Sequence, residues 1–308
     1  MENSINREFA VKITRSIPEG TTTKTETQVF VCGNYVYGNN EEVGYKYRGE
    51  AHISEECGVC RNICDISIYG LSLEKLNEFT FTWWEGLKKV SPLNTIEVIV
   101  EGETVFKGDT FFLQADFSNV PDVCLRITGI VGRYIGSIVP ETKTFEGIKV
   151  SEAFKQVCQN YGMTVVVDPK VDTKVPKIVL SGSVLDRIQR LGKSLGLNVA
   201  ITDNVVRVGE MNKQLPDLNS ANANFPVKEI SKDTGLIGYP IFNDRGATFS
   251  MVFDPLVRSG SLIQLNSIVP KITNQYVLIT KRSILSTLPK GQWKSECICS
   301  VVIEGDKK

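Results

Sequence analysis

The chain has 308 residues, which is enough for two or three domains with a sizeable buried core. It carries 35 basic and 35 acidic side chains, so composition gives no basic excess that would draw it onto nucleic acid or an anionic membrane. The apolar fraction, 42%, is ordinary for a soluble protein.

No targeting or membrane segment is predicted. The N-terminal stretch lacks the basic start and apolar run of a signal peptide, and no stretch approaches 18 consecutive apolar residues. We therefore expect the eight cysteines to be made in a reducing cytosol and most of them to be free thiols.

Residues 33–64 combine tyrosines, glycines and cysteines. Alternating tyrosines on either side of Gly38-Asn39-Asn40 predict a hairpin with an aromatic face. The four are Tyr35, Tyr37, Tyr45 and Tyr47. The segment is too polar to be core, so we interpret them as a contact with a neighbouring subunit. Packing onto the chain's own β domain is the alternative.

A repeated pattern organises the rest of the chain. Residues 65–79 predict a strand, a bend at Gly70 and a short amphipathic helix with Ser72 as its N-cap. Residues 248–260 give a shorter version, in which an alternating strand ends at Asp254-Pro255 and a short apolar turn at Leu256-Val257 follows. Three predicted strands follow each copy: 95–100, 104–116 and 123–131 after the first, and 261–267, 275–286 and 295–304 after the second. The chain therefore reads as two copies of one β unit.

A different kind of sequence separates the two copies, beginning near Pro140. Ser151 is predicted to cap an amphipathic helix, and a second helix is predicted from Val184 to Leu195. A hairpin is expected to turn at Asp203-Asn204. This region is predicted to be a compact α/β module of about 70 residues, near the lower limit for a self-standing core.

These patterns predict an α+β, mainly β, protein in which a small α/β module is inserted between two similar β domains. The expected domains are 1–138, with the Tyr- and Cys-rich insertion at 33–64, then 139–212 for the module, 213–235 for a linker or arm, and 236–308 for the second β domain.

The sharpest candidate for chemistry is the cysteine cluster Cys57-x2-Cys60-x3-Cys64. Thiolates at this spacing on a loop can wrap one ion, and sulfur ligands select zinc or an iron–sulfur centre. Cys32 or His52 could complete four ligands. No second CxxC pair accompanies the cluster, so we favour a thiol-containing loop without a metal, and we expect no cofactor.

Nucleophilic catalysis has little support in the sequence. A catalytic triad needs a histidine base or an alternative, and His52 is the only histidine. Pairs of carboxylates can always be found among 35 acidic residues, so their presence decides nothing. We therefore predict that the protein is not an enzyme.

Short motifs run through both β units. They are Ile68-Tyr69-Gly70-Leu71, Leu76-Asn77, Val105-Phe106-Lys107-Gly108-Asp109, Gly238-Tyr239-Pro240, residues 249–255, Ser259-Gly260 and Gly291-x-Trp293. In these motifs the chain resembles the baseplate hub proteins of tailed bacteriophages, which are related to the hub part of type VI secretion spikes and of other contractile injection systems. Residues 33–64 depart from that pattern, most clearly in their cysteines.

The resemblance implies two tail-tube-like β-barrel domains and a structural role without catalysis. It implies a homotrimer whose six similar β domains form a pseudo-sixfold ring, which joins the hexameric tail tube to the trimeric spike. The implied partners are the tail tube protein, the central spike protein and other baseplate proteins, with DNA passing through the lumen. The expected location is the baseplate of the virion tail, assembled in the host cytoplasm, with no membrane binding by the chain itself.

Two other classes of function stay open at this point. One is a metal- or redox-binding protein that uses Cys57, Cys60 and Cys64. The other is a peptidoglycan-binding tail protein that uses the module at 151–208, an analogy of size and fold only.

Overall fold

The computed structural model describes residues 7–19, 22–33, 47–58, 62–80, 94–216 and 227–302. The chain divides by contacts into two compact units that alternate along the sequence. Unit 1 consists of Met1–Ile53, Ile63–Ile130 and Ser283–Lys294, and unit 2 of Ser54–Asn62, Val131–Arg282 and Ser295–Lys308. The four consecutive domains expected from the sequence stay a prediction. No helix in the described ranges is long and apolar enough to cross a membrane.

Unit 1 is built on one sheet and a short helix. Its elements are β1 (Glu8–Glu19), β2 (Thr22–Gly33), β3 (Arg48–Glu56), β4 (Ile63–Tyr69), α1 (Leu73–Phe79), β5 (Thr95–Val100), β6 (Glu103–Asp116) and β7 (Cys124–Ile130). The last residues of β3 belong to unit 2. The hydroxyl of Ser72 accepts a hydrogen bond from the Lys75 N–H at 3.3 Å and caps α1, as the sequence predicts.

The strands of unit 1 lie in the order β3-β4-β7-β6-β5-β1-β2. Alternate residues of β4 and β5 point into the unit because side chains alternate across a strand. The buried set includes Ile66, Ile68, Val98, Phe106 and Leu125.

A late segment of the chain, Ser283–Lys294, completes unit 1. The guanidinium of Arg7 donates to the Gly291 carbonyl at 2.7 Å, and the Gly49 N–H donates to Thr287 Oγ1 at 2.8 Å. The rings of Phe9 and Trp293 lie 6.4 Å apart. Unit 1 is therefore assembled from both ends of the sequence.

The inserted module forms the first part of unit 2. Its elements are α2 (Arg133–Ser137), β8 (Lys143–Phe145), α3 (Val150–Cys158), β9 (Thr164–Val167), β10 (Ile178–Leu180), α4 (Val184–Ser194), β11 (Leu197–Thr202) and β12 (Val205–Glu210). The predicted hairpin at Asp203-Asn204 is present, and both residues have the positive φ of a tight turn. β12 pairs with β11 on one side and, in parallel, with β9 on the other.

The second part of unit 2 is a six-stranded sheet. Its strands are β13 (Lys228–Ile230), β14 (Leu236–Asn243), β15 (Gly246–Val252), β16 (Leu262–Ile268), β17 (Lys271–Ser286) and β18 (Trp293–Val301). They lie in the order β14-β15-β18-β17-β16-β13 around a core that includes Phe249, Met251, Leu265 and Tyr276. The end of β17 and the start of β18 belong to unit 1.

The two predicted copies share one strand order. In the first, the opening strand β4 is followed across the sheet by β7, β6 and β5. In the second, β15 is followed by β18, β17 and β16. Each copy also has one strand on the outer side of its opening strand, β3 in the first and β14 in the second. We call β3–β7 repeat 1 and β14–β18 repeat 2. The predicted internal duplication is therefore present in the topology.

The expected closed barrels are not formed by the described residues. In unit 1, the two ends of the sheet meet only at an isolated parallel bridge between Cys32 and Tyr47. In unit 2, no ladder joins β13 to β14, since β13 has only three residues and the chain turns between Ser231 and Leu236. The prediction of a mainly β fold with an inserted module is confirmed, and the expectation that the β domains are closed barrels is corrected.

The segment 213–235, expected to be a linker or arm, includes the three-residue strand β13, whose Ile230 is buried in the core of the six-stranded sheet. One local prediction is corrected. The N-cap of α3 is Lys149 and not Ser151. The Asp172 carboxylate accepts from the Ser151 N–H at 2.8 Å and so satisfies a donor of the first helical turn.

Candidate functional site

A buried charged cluster lies in unit 2, where three parts of that unit meet. Arg258 donates from Nε to Glu55 Oε1 at 2.8 Å and from Nη2 to Asp203 Oδ2 at 3.2 Å. The side chains of Arg258 and Glu55 are only 7% and 4% exposed, so water screens this pair little. The contacts tie the turn after β15 to the end of β3 and to the β11–β12 hairpin.

A second arginine strengthens the same junction. Arg207, on β12, is fully buried and donates from Nη2 to Thr202 Oγ1 at 3.0 Å and to the Ser259 carbonyl at 2.8 Å. Ser259 directly follows Arg258, so both arginines hold the same turn. The module is thereby fixed to the six-stranded sheet within unit 2.

A buried lysine holds the other end of that turn. Lys281, on β17, donates from Nζ to the Asp254 carbonyl at 2.8 Å and to the Val257 carbonyl. Its Nζ lies 4.5 Å from the centroid of the Phe253 ring, within range for a cation–π contact. Residues 253–261 are therefore held by side chains from β3, β12 and β17.

Burial and neighbouring opposite charges act in opposite directions on the pKa values of these groups. Burial raises the pKa of Asp203 above its ordinary value, and Arg258 opposes this. Burial by itself would lower the pKa of Arg258, but the carboxylates of Glu55 and Asp203 raise it overall. Burial lowers the pKa of Lys281 and of Arg207. The ion pairs thus offset the cost of taking these charges out of water.

We define the buried charged cluster as Glu55, Asp203, Arg207, Arg258 and Lys281. No pattern in the sequence predicted it. The members come from distant parts of the sequence, and no spacing rule connects them. One signal was available: Arg207 and Lys281 interrupt apolar runs within predicted strands. A charge at such a position must be paired inside the protein.

The predicted cysteine site is only partly described. Cys57 is buried in a small apolar cluster with Ala200 and Leu215, and its N–H donates to the Ile279 carbonyl at 2.9 Å. Cys64 is buried on β4. Cys60 lies outside the described residues. In the described part of the chain, no three His, Cys, Asp or Glu side chains are grouped so that they could hold a metal.

The other two proposed ligands lie in different surroundings. Cys32 is buried, and burial raises its pKa to about 12. His52 is exposed, with Nε2 3.6 Å from Glu50 Oε1. The metal and redox interpretation stays a prediction.

The Cys57 thiol is expected to react slowly in the native protein. Burial raises its pKa to about 11, so the thiol is protonated near pH 8, and the thiolate is the reactive form. Alkylation with iodoacetamide at that pH, followed by peptide mass mapping, should label Cys57 only after denaturation. Rapid labelling of native Cys57 would instead indicate an accessible thiolate and favour the metal or redox interpretation.

Of the four predicted interface tyrosines, only Tyr47 lies in a described range. Its ring packs edge-on against Phe30 at 5.6 Å, and Phe30 packs against Phe79 at 5.2 Å. The Tyr47 N–H donates to the Val31 carbonyl at 3.0 Å. This side chain therefore packs within unit 1. Tyr35, Tyr37 and Tyr45 lie outside the described residues, and the interface role of the set stays a prediction.

Comparison with known proteins gives a consistent group of tail proteins. The family model described as "Baseplate hub gp41" matches residues 42–283. A tail protein from Neisseria meningitidis MC58 has a similar structure, with a TM-score of 0.61 and 12% identity over 95% of this chain and 96% of that chain. None of the curated proteins compared with the chain matches it.

Two further solved structures share the fold. The 43 kDa tail protein of prophage MuSo2 from Shewanella oneidensis has a TM-score of 0.56 and 10% identity, covering 95% of this chain and 98% of that chain. The E. coli c3393 protein is a component of the type VI secretion system, described as similar to the T4 tail proteins gp27 and gp5. Its TM-score is 0.58 and its identity 9%, over 85% of this chain and 76% of that chain.

Proposed function

The chain belongs to the baseplate hub gp41 family, and from this premise we propose that three copies form a ring that joins the tail tube to the central spike. The role of the family is structural, and the chain is a structural component of a phage tail. In our proposal it catalyses no reaction and acts by its shape and contacts.

The observation that carries this proposal is the shared strand order of repeats 1 and 2. One chain supplies two similar β units, so three chains supply six. A ring of this kind can present six similar surfaces to a hexameric tube and threefold symmetry to a trimeric spike. The similarity of the repeats is the property that such an adapter needs.

The proposed partners are the tail tube protein on one face of the ring, the central spike protein on the other, and further baseplate proteins around it. DNA would pass through the lumen. The two β units would form the wall of the ring, and the buried charged cluster would keep the inserted module fixed to the wall on which it is built. The ring would assemble in the host cytoplasm.

The proposal predicts a stable trimer in solution. Size-exclusion chromatography with light scattering should give three times the 34.2 kDa mass of the chain, and electron microscopy should show threefold rings. Mixing with the tail tube protein of the same phage should add that protein to the ring. A chain that remains monomeric at high concentration, alone and with its tube protein, would contradict the proposal.

A further inference from the structure

An exposed apolar surface lies on β14 at the end of the unit 2 sheet. Ile237, Tyr239 and Ile241 are 43%, 70% and 71% exposed, and β14 contains no charged residue. Strand β14 pairs with β15 on one side only among the described strands. Leu236 and Phe242 pack against the core, so the strand is anchored to the unit. Edge strands with exposed apolar residues are sites of pairing with another chain.

In repeat 1, the strand that corresponds to β14 is β3, and its outer side is covered by another strand. Strand β3 flanks the opening strand β4 as β14 flanks β15, and the other side of β3 pairs with β17. The Cys57 N–H donates to the Ile279 carbonyl in unit 2, and the Thr287 N–H donates to the Gly49 carbonyl in unit 1, both at 2.9 Å. Repeat 2 therefore supplies the strand that covers the outer side of β3.

The register of the β16–β17 pairing shows which half of β17 covers β3. β16 pairs with β17 as far as Val277, and β17 then continues to Ser286 beside β3. In repeat 1, β6 holds the position that β17 holds in repeat 2. β5 pairs with β6 as far as Asp109, and β6 likewise continues to Asp116.

From this correspondence we infer that β14 of one copy packs against the 110–116 half of β6 in the next copy. The inference rests on the proposed ring and names the surfaces that would close it. Each chain provides one β14 and one β6, so a closed ring uses every copy of both surfaces.

The side chains on β6 fit this contact. Phe111 on β6 and Phe117 directly after it are 53% and 49% exposed, and they would meet the apolar residues of β14. The N–H of Thr110 already donates to the Asn94 carbonyl at 2.9 Å and that of Ala115 to Thr80 Oγ1 at 3.0 Å, so the new contact is centred between these two residues. Pro240 lacks an N–H and disfavours pairing of β14 with a second β14, because such a pair would contain two prolines.

Disulfide cross-linking tests the contact directly in the full chain. We would combine Tyr239→Cys with Phe112→Cys or Gln114→Cys, one at a time, in a Cys60→Ser background. The described native cysteines are all buried and should not interfere. Mild oxidation should link at least one of these pairs into dimers and trimers on a non-reducing gel. The matched control joins Tyr239→Cys to Val29→Cys on β2, which is also exposed and should not link.

The outcomes separate this inference from the proposed ring. A wild-type monomer would overturn the ring itself. A wild-type trimer with no cross-link in any β14–β6 pair would overturn the inference and leave the ring standing. Cross-linked dimers from Tyr239→Cys alone would show that β14 meets itself, which also overturns the inference.

A charge on β14 provides a second measurement. Ile241→Lys should weaken the trimer at least about tenfold, because a lysine must be desolvated in an apolar contact. Val179→Lys, at another exposed apolar position in the module, should leave the trimer unchanged. Equal trimer stability in both variants, with unchanged folding, would overturn the inference.

Discussion

Replacing Arg258 with methionine is expected to lower the free energy of unfolding by about 3–5 kcal/mol, because it leaves two carboxylates without their common partner. Glu55 is almost fully buried and Asp203 largely so, which means that water cannot replace the lost contacts. Urea unfolding of the full chain, followed by circular dichroism and by tryptophan fluorescence, would measure the loss.

The matched control for this variant is Arg48→Met. Arg48 also pairs with a carboxylate, Asp122 at 3.3 Å, but the two side chains are 54% and 64% exposed. Its replacement should cost no more than about 1 kcal/mol. Equal losses in the two variants would show that the buried charged cluster does not stabilise the fold.

The loss in Arg258→Met should also depend on pH. Arg258 lowers the pKa of Asp203, so its removal leaves the effect of burial, which raises that pKa, less opposed. Above the ordinary pKa of an aspartate, Asp203 in the unfolded chain has lost its proton, whereas Asp203 in the folded variant still holds it. The variant's free energy of unfolding relative to wild type should therefore recover as the pH falls from about 7 toward about 4. A loss that is constant over this range would contradict this account.

Gly246→Ala is expected to have an effect of similar size through a different cause. A Cβ at Gly246 would overlap the backbone carbonyl of Cys299 on the neighbouring strand β18, and backbone atoms cannot turn aside as a side chain can. Separating β15 from β18 would disturb the core beneath them and cost about 3 kcal/mol. For a chain of this size the melting temperature should fall by roughly 6–12 °C, measurable by calorimetry.

Gly136→Ala is the matched control for this prediction. A Cβ there would lie 3.6 Å from the Leu185 side chain, which is ordinary contact, and Gly136 is within α2. Alanine favours a helix over glycine by about 1 kcal/mol, so this variant should be neutral or slightly stabilised. If Gly246→Ala melts at the wild-type temperature, the two strands do not require this close approach.

Much of the β framework could be predicted because its signals are local. The alternation of apolar residues predicted 95–100, and β5 occupies Thr95–Val100. The hairpin of β11 and β12 followed from its two turn residues, and the helix predicted from Val184 to Leu195 is α4 at Val184–Ser194. These features depend on residues only a few positions apart, where spacing decides the geometry.

The features that the sequence did not predict correctly depend on contacts between residues far apart in the sequence. Whether a sheet closes into a barrel depends on its first and last strands, and among the described residues of unit 1 these meet at a single bridge. The buried charged cluster requires Glu55 and Arg258 to be neighbours, although 203 positions separate them in the sequence. No periodicity carries such information, because only the complete fold brings these side chains together.

The alternation of the two units along the sequence has a consequence for synthesis on the ribosome. Unit 1 includes Ser283–Lys294, and unit 2 includes Ser54–Asn62. Unit 1 therefore cannot be completed until residue 294 has left the exit tunnel, although most of its strands emerge much earlier. During that interval the outer side of β3 has no β17 beside it, and an incomplete sheet edge of this kind is prone to aggregate. Chaperones that bind nascent chains should associate with this protein throughout translation, and fragments that end before residue 283 should be poorly soluble.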